Sequence, residues 1–143
     1  MATFISHSPA ETEALGERLG RKVPGGLVIG LSGDLGAGKT QLVRGIARGL
    51  GIAARIHSPT FTLVHEYSGG RLRLFHLDLY RLETPAQIRS AGLEEFLQPA
   101  GVTVIEWAER MAGGGWPAAA WRWVAIEMIS ESERKITYDD PGD

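Results

Sequence analysis

Leu27-Val28-Ile29-Gly30-Leu31-Ser32-Gly33-Asp34-Leu35-Gly36-Ala37-Gly38-Lys39-Thr40 is the stretch that decides the fold. Residues 27–32 are apolar or small, the composition of a strand buried in a sheet. Residues 33–40 satisfy the pattern G-x-x-x-x-G-K-[ST], a loop that wraps a nucleotide triphosphate. Beyond it, Leu42, Val43, Ile46, Ala47 and Leu50 recur at helical spacing and mark the buried face of a helix. Strand, glycine loop and helix is the setting such a loop needs, because the helix N-terminus adds its partial positive charge to the site. Only backbone N–H groups pack densely enough to surround a phosphate oxygen. The loop therefore sheds side chains and turns tightly, which glycines at 33, 36 and 38 permit. Lys39 then supplies a point charge for the β- and γ-phosphates, and the Thr40 hydroxyl a ligand for Mg²⁺.

Working outward, the 143 residues suffice for one domain with one substantial core, so a single domain over residues 1–143 is expected. Hydrophobic residues make up 43% and charged residues 22%, ordinary for a soluble globular chain. No apolar run reaches the length of a membrane span, and Met1 to His7 lacks a signal peptide's basic start and apolar stretch. A cytoplasmic location follows as an expectation. Cysteine is absent, which removes disulfides, cysteine metal sites and cysteine nucleophiles. The formal charge is −2 and no basic cluster stands out along the chain, so any grip on nucleic acid is expected to come mostly from another subunit. Asparagine is also absent, so the chain cannot carry the N-K-x-D guanine-reading motif of many GTPases, and ATP is favoured over GTP.

Ser8-Pro9-Ala10-Glu11 opens a helix with Ser8 as N-cap, Pro9 in the first turn and Glu11 closing a capping box. It is expected to carry Ala14, Leu15 and Leu19 inward and to end near Gly20. Phe61 to Tyr67 and Arg71 to Leu77, separated by Ser68-Gly69-Gly70, predict an antiparallel hairpin. Thr84-Pro85-Ala86-Gln87 repeats the capping pattern, and a further short helix is expected from Gly92 to Leu97. Val102 to Glu106 reads as a strand, Trp121 to Ile129 with Lys135 to Tyr138 as a closing hairpin, and Asp139 to Asp143 as a frayed tail.

A nucleotide hydrolase also needs a carboxylate for Mg²⁺ and a group that positions the attacking water. Glu106 follows a strand-forming run, and Asp78 stands just past another; ligands gather at the carboxyl ends of parallel strands. Spacing leaves open which acid touches the metal, and leaves open a solvated role in which Arg81 or Arg110 pairs with it. Ser58 and Thr60 lie between the loop helix and the next strand, where a hydroxyl senses the γ-phosphate in many switches, although Ser58-Pro59 is equally a plain turn. Trp107 either stacks on a base or fills core; Trp121 and Trp123 read as core or an interface. His57, His65 and His76 show no metal-ligand spacing and read as structural or surface residues.

GDLGAGKT, SPTFTLV, FHLDLYRL, GLEEF and VIEWAER, in that order and spacing, resemble the bacterial TsaE family over nearly the whole chain. The resemblance implies a three-layer α/β P-loop domain with a mixed sheet, the loop strand central and antiparallel hairpins at the edges. It implies a small ATPase needed for N6-threonylcarbamoyladenosine in tRNA. Its partners would be a TsaD-like transferase subunit and that subunit's TsaB-like paralogue, with tRNA met through the complex and neither membrane nor DNA involved. In the residues of this chain, it implies that Gly33, Asp34, Leu35, Gly36, Ala37, Gly38, Lys39, Thr40 and Gln41 cradle ATP. Thr40 and Glu106 would serve Mg²⁺, and Asp78 would be an essential acid near the γ-phosphate. Ser58 and Thr60 fall in a switch-like segment, Trp107 lies near the nucleotide, and Arg134 or Lys135 approaches it. Tyr80 and Arg81 serve either a partner interface or catalysis. Phe61, where tyrosine is common, and Gln41, where a small hydroxyl residue is frequent, depart from the family pattern. Two other readings are a small-molecule kinase, with Gly113–Trp116, Arg110 and Arg122 as a lid, and a switch that binds ATP without hydrolysing it.

Overall fold

The computed structural model describes residues 2–33, 38–53, 55–56, 63–97, 99–111, 114, 116 and 120–139. Its strands are β1 (Ala2–Ser6), β2 (Leu27–Ser32), β3 (Val64–Tyr67), β4 (Leu74–Asp78), β5 (Val102–Glu106), β6 (Ala120–Met128) and β7 (Arg134–Tyr138). They form one seven-stranded sheet in the order β1-β7-β6-β2-β5-β4-β3. The inner strands β6, β2, β5 and β4 run parallel, and β7, β1 and β3 pair antiparallel at the two edges. The α/β class, the central loop strand and the edge hairpins are as the sequence leads one to expect.

Three helices, α1 (Pro9–Lys22), α2 (Lys39–Gly49) and α3 (Pro85–Ser90), and the short 3₁₀ segments Leu93–Leu97 and Ala108–Met111 cover the sheet from both sides. Strand alternation divides the core. Leu27, Ile29, Leu31, Val102 and Val104 face Leu15 of α1 and Leu42, Val43 and Ile46 of α2. Val28, Leu77 and Ile105 face Ile88, Leu93, Leu97, Ala108 and Met111 on the other side. All five helical positions read from the spacing of α2 are buried.

Strand β1 is not expected from the sequence, because its five residues are an edge strand defined by a distant partner. Ala2 pairs with Tyr138 and Ser6 with Arg134. Strand β4 begins at Leu74 rather than Arg71, since the Arg71 N–H bonds the Leu50 carbonyl (2.6 Å) instead of β3. Asp139, expected to fray, is tied to β6: its carboxylate accepts the Trp123 N–H at 2.8 Å.

The helix starts follow the sequence with one change. Ser8 accepts the Glu11 N–H at 3.1 Å and Thr84 accepts the Gln87 N–H at 3.2 Å. The return bonds reach one residue further back than a capping box requires: Glu11 accepts from the His7 N–H (2.8 Å) and Gln87 from the Glu83 N–H (2.6 Å). Helix α1 also runs past Gly20 to Lys22, and Ala14 is exposed; Thr12, Leu15, Gly16 and Gly20 form its buried face.

Gly20 does not end the helix because it serves the crossing with α2. A Cβ at Gly16 or Gly20 would overlap the carbonyl oxygens of Leu42 or Ile46, and one at Gly45 or Gly49 those of Glu13 or Glu17. Two Gly-x-x-x-Gly pairs thus let the two backbones touch. Gly45→Ala gains about 1 kcal/mol of helix propensity but forces the helices apart, an overpacking cost of about 3 kcal/mol or more. We expect a net loss of about 2 kcal/mol in urea unfolding. An unchanged midpoint would show that the crossing is not tight.

Candidate functional site

Because β2, β4 and β5 are parallel neighbours, their carboxyl ends gather at one edge of the sheet. The register sets Leu31 beside Glu106 and Glu106 beside Asp78, so both acids stand where β2 leaves the sheet. Helix α2 begins there with Lys39. An open cleft of about 750 Å³ is lined by Gly38, Lys39, Thr40, Gln41, Asp78, Glu106 and Trp107. Its far wall is formed by His7, Ser8, Pro9 and Thr12 at the start of α1 and by Glu131, Ser132 and Arg134. Of the sequence-derived site residues, Asp34, Leu35, Gly36, Ala37, Ser58 and Thr60 lie outside the described residues.

Both described ends of the glycine loop have φ values that only glycine takes readily. Gly33 has φ 144° and a Cβ there would press on the Ile126 carbonyl; Gly38, at the N-cap of α2, has φ 100°. Lys39 is 5% exposed, a burial that an ammonium group tolerates only with partners. Its Nζ donates to the Gly33 carbonyl at 2.7 Å and lies 3.9 Å from the centre of the Trp107 ring.

Trp107 is the one described non-glycine residue with positive φ, 61°. Such a backbone costs about 1–3 kcal/mol and persists where surrounding structure over-determines it. Here the turn brings the indole to Lys39, to Tyr80 (ring centroids 5.3 Å apart) and to the Arg110 guanidinium (5.0 Å). Arg110 donates to the carbonyls of Leu79 and Tyr80, so it braces the β4 exit rather than neutralising either acid.

Glu106 is 4% exposed and its Oε2 meets Nε2 of His76, which is fully buried. From the sequence, His76 is expected to be a structural or surface residue. Its place two residues before Asp78, on the same sheet face, was the available signal that it belongs with the acids. Asp78 is half-buried and its Oδ1 accepts the Tyr80 N–H at 2.9 Å. Burial, helped by the nearby Glu106 charge, pushes its pKa above the usual aspartate value, against the Tyr80 N–H, His76 and Lys39.

With a raised pKa the folded state holds the Asp78 proton longer than the unfolded chain does, so this group costs stability as pH rises through the window between the two values. Asp78→Asn keeps an acceptor for the Tyr80 N–H and removes the buried charge. We expect its thermal midpoint to exceed wild type at pH 7, the gain vanishing below the ordinary aspartate pKa. A midpoint difference independent of pH would refute that origin.

Of Arg134 and Lys135, Arg134 lines the cleft and its Nη1 donates to the Ser130 (2.9 Å), Glu131 (3.3 Å) and Glu133 (3.0 Å) carbonyls. Lys135 is not among the lining residues. Alternation along β7 turns it to the opposite face, opposite Glu127 of β6. Of the lid considered for a kinase, Gly114 and Trp116 do not line the cleft; the partly buried Trp116 packs against the second core and its indole donates to the Met111 carbonyl at 2.7 Å, while residues 113 and 115 lie outside the described residues. Folding does assemble one basic cluster invisible along the chain: Arg44, Arg48 and Arg55 border a separate groove of about 520 Å³, with Arg48 paired to Glu13 at 3.1 Å. Among the described residues no group of three or more His, Asp or Glu could hold a metal alone, and no helix is long and apolar enough to cross a membrane.

Comparison with known proteins agrees with this arrangement. A crystal structure of Bacillus subtilis YdiB superposes with TM-score 0.79 at 35% identity, covering 99% of this chain and 86% of that one. The tRNA threonylcarbamoyladenosine biosynthesis protein TsaE of Treponema pallidum is 46% identical over 93% of this chain and 96% of its own length. The protein of the same name from Synechocystis is 49% identical over 70% of this chain; the matched stretch spans 66% of that relative. The model of the family described as "Threonylcarbamoyl adenosine biosynthesis protein TsaE" matches residues 6–136. The chain belongs to the TsaE family.

Proposed function

We propose that this chain is a Mg²⁺-dependent ATPase of the cytoplasm that supports N6-threonylcarbamoyladenosine formation in tRNA. It would work with a TsaD-like transferase subunit and its TsaB-like paralogue, meeting tRNA through them. The observation that carries the reading is the buried Lys39 at the N-terminus of α2, beside two carboxylates at the ends of parallel strands. The absence of asparagine supports adenine over the commonest mode of guanine reading.

The donor set fits magnesium. Mg²⁺ prefers oxygen ligands and is usually held by one or two carboxylates together with substrate phosphates, not by a protein cage. Thr40 and Glu106 offer the oxygens, and no larger acidic cluster is present among the described residues. When bound, the ion would neutralise charge on the β- and γ-phosphates.

The chain's own residues supply the rest. Lys39 exchanges its bond to the Gly33 carbonyl for phosphate oxygens, aided by the amides at the start of α2. Thr40 and Glu106 would hold the metal. Asp78, fixed by the Tyr80 N–H, orients the attacking water. Trp107 closes over Lys39 and lowers the local dielectric. Turnover by the isolated chain is slow, because Arg134, the arginine lining the cleft, is engaged by turn carbonyls and a partner must complete the charge stabilisation.

Phosphate release from ATP, measured for the chain alone and then with the transferase pair and tRNA, tests the reading. Stimulation by the pair, absent from Lys39→Ala, supports it. Bound ATP with no release under any condition would replace it with a passive switch, and phosphorylation of a small acceptor with a kinase.

A further inference from the structure

Position 76 is costly for the fold. His76 is completely buried on β4, and its Nδ1 is the one buried side-chain polar atom without a hydrogen-bond partner among the described residues. The other ring nitrogen, Nε2, lies against Glu106 Oε2. An ionised carboxylate only accepts, so Nε2 carries the proton. In a neutral ring Nδ1 is then a desolvated acceptor with nothing to accept. A leucine would fill the same space among the buried residues of this sheet without that cost.

What the site gains is control of one carboxylate. The register places His76 beside Val104 and Asp78 beside Glu106, so His76 is the diagonal neighbour of Glu106 on the same sheet face. Glu106 lines the cleft with one oxygen engaged by the imidazole. Its remaining oxygen is the one free to serve a cation. A carboxylate ligand oriented from behind by a buried donor needs no reordering when metal arrives, and such supporting partners are worth about 10- to 100-fold in metal affinity.

We infer that His76 is a positioning residue: it fixes Glu106 so that one carboxylate oxygen is presented to the metal of the nucleotide complex. The inference rests on the Mg²⁺–ATP reading above. It predicts that losing the imidazole weakens metal in the ternary complex and leaves metal-free nucleotide affinity alone.

Mn²⁺ is the probe, its free form quantified by electron paramagnetic resonance as it is titrated into the full chain holding a non-hydrolysable ATP analogue. Nucleotide affinity without metal is measured in parallel. In His76→Leu, Mn²⁺ affinity should fall about tenfold or more while metal-free nucleotide affinity is kept and the thermal midpoint is kept or raised. His76→Gln, whose amide N–H reaches toward the place of Nε2, should restore most of the loss; His76→Asn, which is too short, should not. Wild-type Mn²⁺ affinity in folded His76→Leu overturns the inference, as does a matching loss of metal-free nucleotide affinity. If His76→Leu does not fold, equal Mn²⁺ affinity in the Gln and Asn variants overturns it. A wild-type chain that holds nucleotide but no Mn²⁺ overturns the metal reading itself, a result distinct from any difference among the variants.

Discussion

Lys39→Ala will lose ATP: its affinity, followed with a fluorescent ATP analogue, should fall by about two orders of magnitude while the chain stays folded. A charge-assisted hydrogen bond contributes about 1.5–3 kcal/mol. Losing two such bonds to phosphate oxygens is worth about 3 kcal/mol or more, and each 1.4 kcal/mol is a factor of about ten. The fold should tolerate the change, because the substitution also removes the charge of a lysine that is, as a residue, only 5% exposed. The desolvation cost of that charge disappears with it. What remains is the carbonyl of Gly33, a residue only partly buried, where water can replace the lost donor. Lys39→Arg should not rescue binding. The planar guanidinium is bulkier than the ammonium it replaces, which sits between the Gly33 carbonyl and the Trp107 ring. Retained affinity in Lys39→Ala would remove Lys39 from the phosphate site and with it the principal support for nucleotide binding.

What the sequence discloses of this protein is what is local in the chain. Strand β2, the glycine loop and α2 are continuous in sequence, so their periodicity and turn chemistry specify both the element and its role. The features that escape reading depend on register between distant segments. Strand β1 exists because Ser6 finds Arg134 across the sheet, a partner no local pattern announces. Gly20 looks like a helix end until α2 is packed against it. Arg134 and Lys135 differ by one residue and therefore by a whole face, and only the pairing of β7 with β6 decides which one meets the cleft. His76 and Glu106 are thirty residues apart and touch because β4 and β5 are parallel and in this register. The acids are legible as strand-end carboxylates; a lone histidine in an apolar run has no helical or metal-binding spacing, so the imidazole behind one of them is marked only by its alternation with Asp78 along β4.

Glu106→Gln separates binding from turnover. Glutamine has nearly the shape of glutamate and its carbonyl oxygen can still accept from His76 Nε2, so the β5 end should hold its conformation. What is lost is one negative charge in the lining of the cleft. Without metal, that charge repels the nucleotide phosphates, and its removal should leave ATP affinity in chelator equal to wild type or tighter. With Mg²⁺ present, the neutral amide is a far poorer partner for a hard dication than a carboxylate. Turnover with the transferase pair and tRNA should therefore fall by about 100-fold or more, since about 3 kcal/mol of transition-state charge stabilisation is at stake. The pattern is the reverse of that in Lys39→Ala, where nucleotide itself is lost. It also tells hydrolysis from signalling by shape. A chain that only switches on ATP binding would keep its effect on the transferase pair in Glu106→Gln, because the nucleotide still enters. One that acts through hydrolysis would lose that effect although the cleft is filled. Wild-type turnover in Glu106→Gln would take Glu106 out of the metal site and leave Asp78, its neighbour in register, as the carboxylate to test next.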